Sequence, residues 1–185
     1  MSQISDFLDL LDTRSFSNLW FWLFVIAIWG DIGRRVVGVP WDVVRRARTE
    51  PDGHGGLLLL DWLTLTLPRW QMGRTEGLVL LGLAGFGLTS LVLLGFVYGL
   101  EMAQAISLIG VSLALLFVLR LRLARRLLPL LAAAHDGRLP PDQAVAPALR
   151  LIIIHRRIAT VLSVLAGIIL AMWGRFWMLT HPNGL

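Results

Sequence analysis

From Gly77 to Leu100 the chain carries no charged residue, with Glu76 and Glu101 closing the run on either side. At ~1.5 Å per residue, such a run makes roughly 36 Å of helix, enough to cross a bilayer core of roughly 30 Å. Uncharged runs follow at Met102–Leu119 and Ile158–Gly174, and an aromatic-rich one, Phe16–Gly30, precedes. These runs predict an all-α integral membrane protein with four transmembrane helices at about 16–38, 77–100, 102–122 and 156–175. The loops between them, about 39–76 and 123–155, carry amphipathic segments. With 185 residues, 56% of them hydrophobic and 16% charged, the chain suits a single membrane domain.

The arginines set the expected topology. Lysine is absent, and fifteen of the seventeen basic residues fall on the two loops that four spans place on one side. Arg34, Arg35, Arg45, Arg46, Arg48, Arg69 and Arg74 lie in the first loop. Arg120, Arg122, Arg125, Arg126, Arg138, Arg150, Arg156 and Arg157 lie in the second. The opposite side keeps Arg14 and Arg175 with the acids Asp6, Asp9, Asp12 and Glu101. The positive-inside rule then puts both loops in the cytoplasm of a bacterial inner membrane and both termini in the periplasm. The net charge of +5 reflects this topology and implies no nucleic acid partner. The aromatic residues agree. Trp20, Trp22, Tyr98, Trp173 and Trp177 fall at the expected outer interface, and Trp29 and Trp41 at the inner one, where an apolar ring with a polar tip is favoured. Met1–Asp12 has three acids and no basic stretch, so span one is expected to be retained and not cleaved as a signal.

Punctuation within the loops gives finer expectations. Span one extends through Val39 and breaks before Pro40; spans two and three turn at Gly99–Glu101. Span three runs on as an arginine-rich helix until Pro129, and Gly137, Pro140, Pro141 and Pro147 mark the main break. Asp142 is placed to cap a helix leading into span four. Trp41–Glu50 either lies along the inner leaflet, held by Arg45, Arg46 and Arg48 at roughly 1 kcal/mol each, or is a solvated loop. Gly56–Trp70 is apolar but short and contains Asp61 and Pro68, so it reads as interfacial, re-entrant or docked on a partner. Its alternation at Leu63–Leu67 suits a strand, but an isolated strand in a membrane protein leaves its backbone unpaired.

Span two is rich in glycine. Gly82, Gly95 and Gly99 are candidate helix-packing positions, the last two as a G-x-x-x-G pair that lets backbones approach closely in lipid. The contact falls either within the hairpin of spans two and three or on another protein. Arg45, Arg46, Arg48, Arg122, Arg125 and Arg126 are candidate contacts for anionic lipid or a partner.

Catalytic chemistry has no visible carrier. Absence of cysteine excludes disulfides, thiolate catalysis and cysteine-ligated clusters. His54, His135 and His155 map to the basic loops and His181 to the tail, so no pair sits inside the spans to hold a haem. Ionisable residues avoid the middle of every span, where pumps and coupled transporters carry them. Thr89 and Ser90 are the hydroxyls of span two, expected to bond the backbone one turn back. Neither H-E-x-x-H nor G-x-S-x-G occurs, nor does a phosphate loop followed by lysine. No catalytic, metal or cofactor-binding residue is therefore expected.

Three stretches are distinctive: Asp12–Trp22 (DTRSFSNLWFW), Gly38–Asp42 (GVPWD) and Leu94–Ala105 (LGFVYGLEMAQA). They resemble a small family of multi-pass membrane proteins of Rhodobacter-like alphaproteobacteria, whose members are often labelled a component of the Suf iron–sulfur assembly complex. The resemblance runs from the N-terminus through span four and is weakest at about 50–71. It implies a four-span fold and, since no cysteine can hold a cluster, a docking role for the basic loops. Asp12, Ser15 or Ser17 would cap the first helix, and Asn18 with Trp20 would meet the interface, a partner or a quinone-like headgroup. The leading expectation is a non-enzymatic accessory or scaffold subunit of an inner-membrane complex, in contact with the lipid bilayer and another membrane protein. Alternatives are a small lipid- or quinone-interacting protein, with Asn18, Ser90 or Glu101 near the ligand, and a membrane adaptor for iron–sulfur assembly.

Overall fold

The computed structural model describes Phe16 and residues 19–180, leaving aside the side chains of residues 32–35. The caps expected at Asp12, Ser15 and Ser17, and the roles of Asn18 and His181, lie outside the described residues. In chain order the elements are α1 (Leu19–Arg34), a hairpin of β1 (Arg35–Val36) and β2 (Val39–Pro40), α2 (Trp41–Thr49) and α3 (His54–Thr66). A 3-10 turn (Leu67–Trp70) then leads to α4 (Arg74–Val92), which ends in a π-helical turn (Leu93–Val97). The chain finishes with α5 (Glu101–His135) and α6 (Pro141–Thr180).

The protein is a mostly helical membrane protein. Three helices, α4 with its π turn, α5 and α6, are long and apolar enough to cross a membrane. The apolar part of α1, Leu19–Asp31, is shorter. Nor does α1 run through Val39: it gives way to the hairpin, whose two-residue loop Val37–Gly38 has positive φ at both positions (54° and 88°). That is the loop geometry that follows the right-handed twist of paired strands. A valine is strained there, and Val37 is held in place by full burial, with Gly38 pressed against Thr66.

Two prolines do not end their helices. Helix α5 continues through Pro129 to His135, and α6 through Pro147 from Pro141 onward. Each proline removes one backbone donor, but the turns around it are held by burial of Leu127 and Leu131 on α5 and of Ala144, Val145, Ala148 and Leu149 on α6. The chain reverses in the short turn at Gly137 (φ 68°). Asp142 sits in the first turn of α6 and does not cap it; the Pro140 carbonyl receives the first backbone donors, from Gln143 and Ala144.

The amphipathic segments of the two connecting regions are helices with a shared core. Val43, Val44 and Ala47 of α2 and Leu59, Leu60, Leu63 and Leu67 of α3 and its 3-10 turn bury against the ends of α5 and α6. Space there is tight. A Cβ on Gly55 would lie 2.7 Å from the Arg46 carbonyl oxygen, and one on Gly56 would lie 2.0 Å from that of Pro51. The apolar face of α2 is thus spent on protein, and α3 docks within its own chain as a helix, not a strand. Threonines 64 and 66 return their hydroxyls to the backbone at Leu60 and Trp62. We call this assembly the cap; it sits at the arginine-rich end. A second, smaller apolar cluster at the other end joins Phe16, Val25, Ala105, Ile109 and Leu170.

Candidate functional site

Among the described residues, two clusters bring several polar side chains together inside the otherwise apolar bundle. The first lies at the end away from the arginines. Glu101 opens α5 and Gln104 follows one turn later, so both point the same way. Trp173 and Trp177 share a face of α6 for the same reason. Trp177 Nε1 donates to Glu101 Oε2 at 3.1 Å, and Trp173 Nε1 donates to Gln104 Oε1 at 2.8 Å. The remaining Glu101 oxygen accepts from the Phe16 backbone at 2.7 Å, and the Phe16 carbonyl accepts from Trp22 Nε1 at 3.0 Å. Gln104 also donates to the Gly95 carbonyl at 2.8 Å. That carbonyl lies in the middle of the π turn, after which the backbone ladder slips to Tyr98–Leu93 and Leu100–Leu94. One glutamine therefore ties α4, α5 and α6 together. Phe96 and Phe176 pack on Trp173, with ring centres 5.3 and 5.6 Å away.

The second is a cavity of about 270 Å³ where α1, α5 and α6 meet the cap. Its polar wall is Arg120, His155 and Arg156; Leu116, Ala159, Val164 and Trp29 form the apolar wall, and Thr160 and Ser163 lie between. Trp29 Nε1 donates to the Ser163 carbonyl at 3.0 Å, pinning α1 to α6. The Arg156 guanidinium lies flat over the Trp41 ring, its carbon 3.5 Å from the centre. Its Nη1 is buried and has no hydrogen-bond partner. Asp31 acts on Arg120 by charge, and Arg120 acts on the buried His155.

The chain matches no protein-family model, no curated protein and no solved structure.

The residues singled out by sequence divide as follows. Gly95 is a packing position: a Cβ there would lie 2.7 Å from the Gln104 backbone nitrogen. Its G-x-x-x-G mate Gly99 has φ 73° and nothing near it, so it serves the turn and not the contact. Gly82 likewise faces open space. Close approach occurs instead at Gly110, against Leu88, and at Gly174, against Phe16. Trp22, Trp173 and Trp177 direct their N–H groups into the protein, while Trp20 and Tyr98 are exposed. Arg45, Arg46, Arg48, Arg122, Arg125 and Arg126 are all exposed on the outside of the cap and of α5. Arg45 pairs with Asp42 at 2.9 Å, a surface contact worth little. Thr89 and Ser90 lie in the last turn of α4, and Glu101 is occupied within the protein. Among the described residues no group of three acids or histidines could hold a metal.

Gln104, Arg120, Arg156 and Ser163 were not singled out for a shared site. The sequence carries a faint signal for the first: a glutamine and a glutamate one turn apart, and two tryptophans one turn apart on another span. Of the ten cavity residues, His155, Arg156, Ala159, Thr160, Ser163 and Val164 recur at one-turn spacing on a face of α6, but the other four come from three separate stretches.

Proposed function

We propose that the protein is a non-enzymatic accessory or scaffold subunit of a complex in the bacterial inner membrane. It has four spans, both termini in the periplasm, and its cap in the cytoplasm. The observation that carries this reading is the cap itself. Helices of 35 and 40 residues extend roughly 52 and 60 Å, leaving some 20 Å or more beyond a bilayer core. That surplus is used to clamp α2 and α3 around an apolar core, with six exposed arginines facing outward. A preformed basic surface loses little freedom when an acidic partner docks on it.

Affinity purification in mild detergent, followed by quantitative mass spectrometry, tests the reading. A stoichiometric protein partner is expected, lost when Arg122, Arg125 and Arg126 are all replaced by Glu. A homogeneous particle carrying only lipid overturns it. Orientation is checked separately, since the chain has no cysteine of its own. In spheroplasts, an impermeant maleimide is expected to label Tyr98→Cys at once and Arg138→Cys only after lysis. The opposite pattern inverts the topology.

A further inference from the structure

We propose that the cavity between α1, α5 and α6 seats the phosphate of an anionic phospholipid, with Arg156 as its principal contact. The case begins with Arg156 Nη1, buried and without a hydrogen-bond partner. A buried guanidinium nitrogen left unsatisfied is costly, and native structures pair such groups. Stacking on Trp41 occupies the flat face of the guanidinium but none of its in-plane donors. The cavity that Arg156 lines is where a partner fits.

The composition of its wall selects the partner. Arg120 and Arg156 bring two guanidiniums to one side of the cavity. Two guanidiniums on an otherwise apolar wall favour an anion. Guanidinium forks match phosphate oxygens in pairs, and the hydroxyls of Thr160 and Ser163 add neutral donors. Away from the arginines the wall becomes Leu116, Ala159 and Val164, which suits the first part of an acyl chain and not water.

Depth agrees with this. Arg120 immediately follows the uncharged run Met102–Leu119, and Arg157 immediately precedes the run Ile158–Gly174. The polar wall therefore stands at the level where two spans leave the hydrocarbon, which is where lipid phosphates lie. Basic pockets between helices at this level bind anionic headgroups. The reading of the cap as cytoplasmic decides only which leaflet supplies the lipid.

The test is native mass spectrometry of protein released from nanodiscs of equal phosphatidylglycerol and phosphatidylcholine. Wild type is expected to retain phosphatidylglycerol by about tenfold over phosphatidylcholine. Arg156→Gln is expected to abolish the preference, while Arg150→Gln, an exposed arginine on the same helix, keeps it. Ala159→Phe fills the apolar half without altering charge and is expected to expel the lipid. Circular dichroism and elution volume establish that each variant is folded. Equal retention of the two lipids overturns the proposal, as does undiminished retention in either folded cavity variant. In a second arm, inorganic phosphate is added in detergent at constant ionic strength. No rise in Tm is expected; a rise lost in Arg156→Gln, without lipid selectivity, assigns the cavity to free phosphate and overturns the lipid. Failure to find a protein partner for the cap leaves these outcomes unchanged.

Discussion

Gly95→Val is expected to be the most damaging single substitution in the apolar part of the bundle. A Cβ at position 95 would lie 2.7 Å from the Gln104 backbone nitrogen and 2.9 Å from its Cα, with no flexible side-chain tip to yield. The clash is backbone against backbone, so α4 and α5 must separate. Separation also breaks the bond from Gln104 Nε2 to the Gly95 carbonyl, which needs the same approach. A loss on the order of 3 kcal/mol is expected from overpacking, read as a fall in Tm in detergent. Gly82→Val on the same helix faces open space and is expected to change stability by no more than about 0.5 kcal/mol. Gly99→Ala falls between them, at roughly 1–2 kcal/mol, because the turn holds φ at 73°. If Val at 95 is tolerated as well as Val at 82, the close hairpin is wrong.

Gln104→Leu is expected to have the second largest effect, by an electrostatic route instead of a steric one. The side chain is 3% exposed and satisfies two groups at once, accepting from Trp173 and donating to Gly95. Leucine fills much of the volume but leaves an indole N–H and a carbonyl without partners. Stranding such groups costs about 1–3 kcal/mol each, and lipid offers no replacement donors or acceptors. Trp173→Phe removes one of the stranded groups, so a double-mutant cycle separates the terms. The double variant is expected to be more stable than the sum of the singles predicts, by roughly 1 kcal/mol. Strict additivity would mean that the two side chains do not meet. Loss of either partner is also expected to loosen α6 from α5 at this end, read as faster hydrogen exchange around Trp173.

The spans were the most legible part of the chain because lipid imposes one rule, continuous apolar helix, and the runs at 77–100, 102–119 and 158–174 obey it. The tight turn at Gly99 was legible for a related reason, as nothing else fits between two adjacent spans. Outside the apolar runs the reading was less secure. Pro129 and Pro147 are strong local breakers, yet tertiary burial of their neighbours outweighs one lost hydrogen bond each. Trp41–Glu50 has the pattern of a helix for a membrane surface, and the same pattern serves equally to bury Val43, Val44 and Ala47 in protein. Amphipathicity identifies a covered face but not what covers it. Tryptophan is ambiguous in a similar way. Trp22, Trp173 and Trp177 sit where interface residues belong, but each spends its donor on an internal acceptor. The cavity was not legible at all. Trp29, Trp41, Arg120 and Arg156 come from separate elements, and only folding brings them together.

The two longest helices have a mechanical consequence. Helices α5 and α6 pass without interruption from the Glu101–Trp177 contacts at one end of the bundle to the cap core at the other. Over a distance of about 50 Å, a tilt of about 5° at one end sweeps the other by roughly 4 Å. The pair thus behaves as a lever with its short stroke among tryptophans and its long stroke among arginines. A tilt imposed at the tryptophan end would thereby be carried to the basic surface along the whole length of the two helices.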